Sequence, residues 1–153
     1  MTTEQADTTV DLPRDLVIAI DHAGIAVPDL EAAKKWYVEN LDFEVLHEEV
    51  NAEQGVVEAM LGVRGAAAGT TQIQLLAPLD ENSTIAKFIG RNGPGLQQLC
   101  VRTTDVAALC DRLRANGVRL LYDTPKRGTA GAQINFIHPK DAGGVLMELT
   151  QPA

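Results

Sequence analysis

One order of elements is written twice in this chain, and that repeat limits the folds open to it. Residues 16–27, LVIAIDHAGIAV, have the β-branched character of a strand. Asp29 then offers a helix cap, and Leu30, Ala33, Tyr37 and Leu41 fall on one face of the segment that follows. Strands are predicted over 43–50, 56–63 and 70–77, with a Gly/Ala/Thr-rich turn within 62–71. Residues 78–95 read as a connection holding a short helix, STIAKFIG, capped by Ser83 and stopped at GRNGPG. The order then recurs. LQQLCVRT (96–103) is a strand, and Thr104 or Asp105 caps a helix with Val106, Leu109 and Leu113 on one face. That helix ends at Asn116-Gly117, and strands are predicted over 118–123, 132–138 and 144–150.

The two passes align residue by residue. IDHAGIAVPDL overlays LQQLCVRTTDV, so His22 matches Gln98 and Asp29 matches Asp105, each 76 positions later. QIQLLAP overlays LMELTQP, so Gln74 matches Glu148 74 positions later. Each half alone is a curved open sheet that cannot cover its own concave face. Joined, the halves enclose a cleft in which equivalent positions face one another. The expected class is α+β: two pseudo-symmetric βαβββ modules forming a curved mixed sheet around a metal-binding cleft, with helices outside. The expected organisation is a flexible tail (1–15) and a single domain (16–153), with modules at about 16–78 and 96–152 and a linker at 79–95. His22, Gln74, Gln98 and Glu148 form two matched pairs of nitrogen and oxygen donors on otherwise apolar strands, and are candidate metal ligands.

Composition removes several classes. A net charge of −8 lacks the basic footprint of a nucleic-acid binder. No apolar run reaches the roughly 18 residues that span a bilayer. The polar, acidic start MTTEQADTTVDLPRD has no signal-peptide or transit-peptide character, so a cytoplasmic location is expected. Cys100 and Cys110 make neither a metal spacing nor a disulfide framework and read as core thiols.

The stretches IDHAGIAVPDLEAA, FEVLHEEVNAEQGVVEAML, QIQLLAPLDENSTIAKFI, GVRLLYDTPKRG and INFIHPKDAGGVLMEL carry a resemblance to a known family. The chain resembles the vicinal oxygen chelate superfamily, which includes the glyoxalases, and within it the methylmalonyl-CoA epimerase family, from about Leu16 to Pro152. The resemblance implies a divalent metal on His22, Gln74, Gln98 and Glu148: Co2+, with Mn2+ or Mg2+ as alternatives. It also implies an acyl-CoA substrate, a homodimer and a part in propionate metabolism. Where the family pattern reads Gly-x-Gly-x-His-His, this chain reads GPGLQQL, so Gln98 stands in the place of a ligand histidine. Alternation along a strand then aims Gln98 into the cleft and Gln97 away from it. An amide oxygen is a harder and usually weaker donor than imidazole, which predicts looser metal binding.

Epimerisation α to a thioester needs charge stabilisation on the carbonyl oxygen and two groups flanking one carbon. Glu58 shares a strand face with Val56 and Met60, and the resemblance places a catalytic carboxylate there. Glu148, whose free oxygen can face substrate, is the second candidate. Lys126, Arg127 and Lys140 are loop cations suited to the anionic CoA handle, with Arg91 as another option. His138 reads as a turn residue before Pro139, and His47 receives no role. Two alternatives remain: an isomerase acting on another acyl substrate, and a metal-free protein of the same fold that sequesters a small molecule.

Overall fold

The computed structural model describes residues 14–153; residues 1–13 of the expected tail lie outside the described residues. The first repeat consists of β1 (Val17–Ala26), α1 (Leu30–Leu41), β2 (Phe43–Asn51), β3 (Val56–Val63) and β4 (Gln72–Pro78). A connecting helix α2 (Thr84–Asn92) leads to the second: β5 (Gly95–Thr103), α3 (Val106–Ala115), β6 (Lys126–Arg127), β7 (Gln133–Ile137) and β8 (Met147–Gln151). The helix starts follow the sequence signals. Asp29, Ser83 and Asp105 each accept a backbone N–H from the third residue on, at 3.1, 3.0 and 3.0 Å.

All strands join one sheet in the order β2-β3-β4-β1-β5-β8-β7-β6. In each repeat the first strand runs parallel to the last, and the others follow antiparallel. The antiparallel β1–β5 pair joins the halves. Strand alternation divides the side chains between the two faces. Ala59, Leu61, Leu75 and Ala77 pack under α1 with Leu30, Ala33 and Tyr37, while Leu149 and Val101 pack under α3 with Val106, Leu109 and Cys110. Leu61 and Leu75 are fully buried, and each such side chain contributes about 2–3 kcal/mol of hydrophobic stabilisation. The alternate positions Glu58, Gln74 and Glu148 are left for the concave face. Both cysteines are free and buried.

The structure corrects three local expectations. Leu41 is exposed, because α1 is already closing at its left-handed cap, Asp42. Residues 118–123 form no strand: Leu120 makes a single bridge to Ile137, and the β7 edge is instead paired by β6. The run VRLLYD has strand propensity, but the buried Asn135 side chain, rather than a ladder, satisfies the Tyr122 backbone N–H (3.1 Å) and C=O (3.0 Å). The third concerns Gln97. In the β1–β5 register Gly24 faces Gln98 and Ile25 faces Leu96, so Gln97 is an extra, bulged residue. A bulge breaks alternation, and Gln97 lines the same cavity as Gln98.

Candidate active site

The four sequence-selected donors meet at the centre of the concave face. His22, Gln74, Gln98 and Glu148 are all buried. The Gln98 amide donates to Gln74 Oε1 (3.1 Å) and to Glu148 Oε2 (2.7 Å). His22 Nε2 lies 3.3 Å from Glu148 Oε2, an ion-pair contact outside hydrogen-bonding geometry, and this buried nitrogen has no hydrogen-bond partner among the described residues. The other ring nitrogen, Nδ1, sits 2.6 Å from Asp21 Oδ2, and Arg102 Nε holds the second Asp21 oxygen at 2.7 Å. An imidazole bonded to a carboxylate through Nδ1–H turns Nε2 toward the cluster, where it carries a proton or, once that proton is displaced, ligates a metal as metal-binding histidines do.

Asp21 was not legible as a site residue because alternation turns it away from His22. It too is bulged: Ile20 faces Val101 and His22 faces Cys100. Asp21 and Gln97 are equivalent positions of the repeat, each immediately before a candidate ligand. Both strands therefore use a bulge to re-aim that residue. Gly24 faces Gln98 across the ladder, and a Cβ there would stand 2.5 Å from Gln98 Cγ. The absence of a side chain at Gly24 lets Gln98 lie flat and reach the cluster.

The electrostatics favour a positive charge at the centre. Burial lowers the His22 pKa, but Asp21 and Glu148 outweigh it and raise it to about 9. Burial, with the Glu148 and Asp21 charges, pushes the Cys100 thiol up, although its sulfur, His22 and Asp21 bring donor atoms within 4.8 Å of one another. The donor set therefore fits a divalent cation: an imidazole nitrogen without a hydrogen bond, the Gln74 amide oxygen and the Glu148 carboxylate face one space, and the Gln98 amide reaches it. Ligation by Gln98 requires its amide to turn, since its NH2 now faces Gln74 and Glu148.

Glu58 is buried beside this cluster. Gln74 Nε2 donates to its Oε2 (3.0 Å) and Thr129 Oγ1 to its Oε1 (2.6 Å), and Gln74 Nε2 also donates to Thr129 Oγ1 (3.0 Å). Burial raises the Glu58 pKa above the usual carboxylate range; the Thr129 hydrogen bond opposes this, and the Glu49 and Glu148 charges add to it. A carboxyl shifted upward by burial and opening on a cavity is a candidate for proton transfer. A cavity of about 210 Å³ opens over Glu58, Gln74, Gln98 and Glu148, walled by Val56, Leu76, Ile134 and Phe136.

Thr129 had no sequence signal, because it reaches Glu58 from a loop of the other repeat. The proposed CoA cations are dispersed. Lys126 stacks over the Tyr122 ring at 4.2 Å, and Tyr122 lines the cavity, so this lysine stands at its rim. Arg127 is exposed and its charge acts on Glu49. Lys140, in the turn Pro139–Asp141, is exposed and not among the cavity-lining residues, and Arg91 lies in the last turn of α2. His138 caps its turn by accepting from the Lys140 N–H at 3.2 Å.

Comparison with known proteins gives the family and the fold. Residues 21–136 match the model of the Glyoxalase/Bleomycin resistance protein/Dioxygenase superfamily. The ethylmalonyl-CoA/methylmalonyl-CoA epimerase of Cereibacter sphaeroides is 39% identical over 134 residues, covering 86% of this chain and 96% of that protein. The crystal structure of methylmalonyl-CoA epimerase from Mycobacterium tuberculosis is 57% identical, covers 93% of each chain and superposes with a TM-score of 0.86. A methylmalonyl-CoA epimerase in complex with methylmalonyl-CoA and NH4+ is 46% identical, covering 90% of this chain and 96% of that one, with a TM-score of 0.85.

Proposed function

The chain belongs to the glyoxalase/bleomycin resistance protein/dioxygenase superfamily, and from that membership and its epimerase relatives we infer that it is an isomerase interconverting (R)- and (S)-methylmalonyl-CoA. The observation that carries this reading is the buried Glu58 carboxyl, fixed by two hydrogen bonds and opening on the same cavity as the donor cluster.

Glu58 takes the α-hydrogen from one face of the substrate carbon. Thr129 and Gln74 hold its two oxygens, so its remaining lone pairs are aimed rather than free to rotate. His22, Gln74, Gln98 and Glu148 would hold a divalent ion, which when bound supplies positive charge against the developing thioester oxyanion. Glu148, through the oxygen left free of the ion, is the proposed second acid–base group: in its protonated form it gives its proton to the opposite face as Glu58 takes one, and in the reverse direction it takes the proton that Glu58 gives back. Ile134 and Phe136 form an apolar wall that keeps water from the carbanionic carbon and accommodates the methyl group. Lys126 and Arg127 are proposed to meet the CoA phosphates at the rim. Co2+ as resident ion, a homodimeric assembly, a cytoplasmic location and a part in propionate metabolism complete the reading. No helix among the described residues is long and apolar enough to cross a membrane.

The test is α-proton exchange of methylmalonyl-CoA in D2O, followed by NMR with the metal-loaded protein. Exchange well above the uncatalysed rate is expected, abolished by chelator and reduced about 10³-fold in Glu58→Gln. No excess exchange with any divalent ion would leave the sequestering reading. That reading draws on the Gln98 NH2, which already bridges Gln74 and Glu148 as a cation would.

A further inference from the structure

We propose that Glu49 is a positioning residue: it latches the strap 128–132 across the cleft, so that Thr129 keeps its hydrogen bond to Glu58. Glu49 and Glu58 are direct cross-strand partners on β2 and β3. Two like charges so placed repel. The strap answers both with consecutive residues: Thr129 Oγ1 donates to Glu58 Oε1 and the Ala130 N–H donates to Glu49 Oε1, each at 2.6 Å. His47 Nε2 stands 3.0 Å from the same Glu49 oxygen.

The backbone indicates that the strap is held from outside. Ala130 has φ 54° and ψ 33°, a left-handed conformation that its Cβ disfavours. Such a residue keeps that conformation only where its surroundings impose it. Within the strap, Gly128 N–H bonds Ala132 C=O (2.8 Å) and Ala132 N–H bonds Thr129 C=O (3.1 Å), which closes the loop but ties it to nothing in the first repeat. Among the described residues, the strap's hydrogen bonds to the first repeat are those of Thr129 with Glu58 and Gln74 and of Ala130 with Glu49. Releasing Glu49 frees Ala130 to relax, and Thr129 moves with it. Glu58 then loses the group that orients its proton-accepting oxygen, while the cavity walls that bind substrate stay in place.

The inference rests on Glu58 being the base of the epimerase, so the test pairs kinetics with a measurement that needs no turnover. In the full metal-loaded chain, Glu49→Ala is expected to lower kcat about tenfold with KM changed less than about twofold, the size of one lost hydrogen bond to a charged group. Glu49→Gln, which keeps an acceptor oxygen, restores most of kcat. Because Glu49 acts through Thr129, Glu49→Ala with Thr129→Val is no slower than Thr129→Val alone. Amide hydrogen exchange at Ala130 rises at least about tenfold in Glu49→Ala and stays near wild type in Glu49→Gln. Multiplicative kinetic effects, a change in KM alone, or unaltered Ala130 exchange would overturn the latch. A wild type without turnover sinks the epimerase reading instead, and Ala130 exchange then still decides whether the latch exists.

Discussion

The two repeats share a topology but not a division of labour. In the first, β2 runs for nine residues and pairs with β3 along its whole length; its counterpart in the second, β6, has two residues. Register makes the comparison residue by residue. Met60 faces Gln74 as Phe136 faces Glu148, so Glu58 corresponds to Ile134 and Ala59 to Asn135. The first repeat thus supplies the buried carboxyl proposed as the base, and the second supplies an apolar wall at the same place. Shortening the outer strand also frees the chain between β6 and β7, and that freed chain reaches Glu58 through Thr129. A symmetric pair of complete modules would build the cleft but could not cross it.

The largest expected break in this comparison lies at Asn135. Its fully buried side chain accepts from the Tyr122 and Phe136 N–H groups and donates to the Tyr122 C=O. It stands in for the strand backbone that Ala59 has beside it in the first repeat, where Glu48 of β2 is its partner. Asn135→Ala copies the first-repeat residue without restoring the strand. We expect a loss of about 2–3 kcal/mol, measured by urea unfolding, because buried backbone groups at Tyr122 are left unpaired. A loss well under 1 kcal/mol would mean that the 118–123 segment is held by other contacts.

A smaller effect sharpens the comparison at the joined centre. His22 and Gln98 are equivalent positions, yet one offers imidazole and the other an amide. Gln98→His makes the pair alike. Co2+ should then bind about tenfold more tightly by calorimetry, since imidazole suits that ion better than an amide oxygen. Unchanged Co2+ affinity would indicate that Gln98 does not ligate, and would favour its NH2 as a permanent bridge between Gln74 and Glu148.

The sequence carried the doubled topology and the positions of Glu58, Gln74 and Glu148, because strand alternation and capping are local rules that survive folding. It did not carry the bulges. Asp21 and Gln97 break alternation for a reason that lies in the β1–β5 register, a contact between strands roughly 80 residues apart. Nor could GTAGA announce the strap. Thr129 and Ala130 act on Glu58 and Glu49 only because β6 is too short to keep them in a ladder. The misread strand at 118–123 has the same origin: its propensity is β-like, but a side chain has taken over the pairing.

The exposed Arg119–Asp141 pair should give the smallest effect, and it probes the same difference between the repeats. Arg119 donates to Asp141 from its backbone N–H (2.9 Å), its Nε (3.0 Å) and its Nη2 (2.8 Å), tying the strandless segment to the turn after β7. The guanidinium beside it holds the Asp141 carboxyl below the usual range. A carboxylate whose folded pKa is depressed stabilises fully above its unfolded pKa of about 3.9 and loses that contribution as pH falls through the lower folded value. Asp141→Asn should therefore lower Tm slightly at pH 7, and the gap to wild type should narrow below about pH 4. A gap of the same size at both pH values would mean that Asp141 works through its hydrogen-bonding geometry rather than its charge. In that case the segment is secured as Asn135 secures it, by polar side chains replacing a ladder.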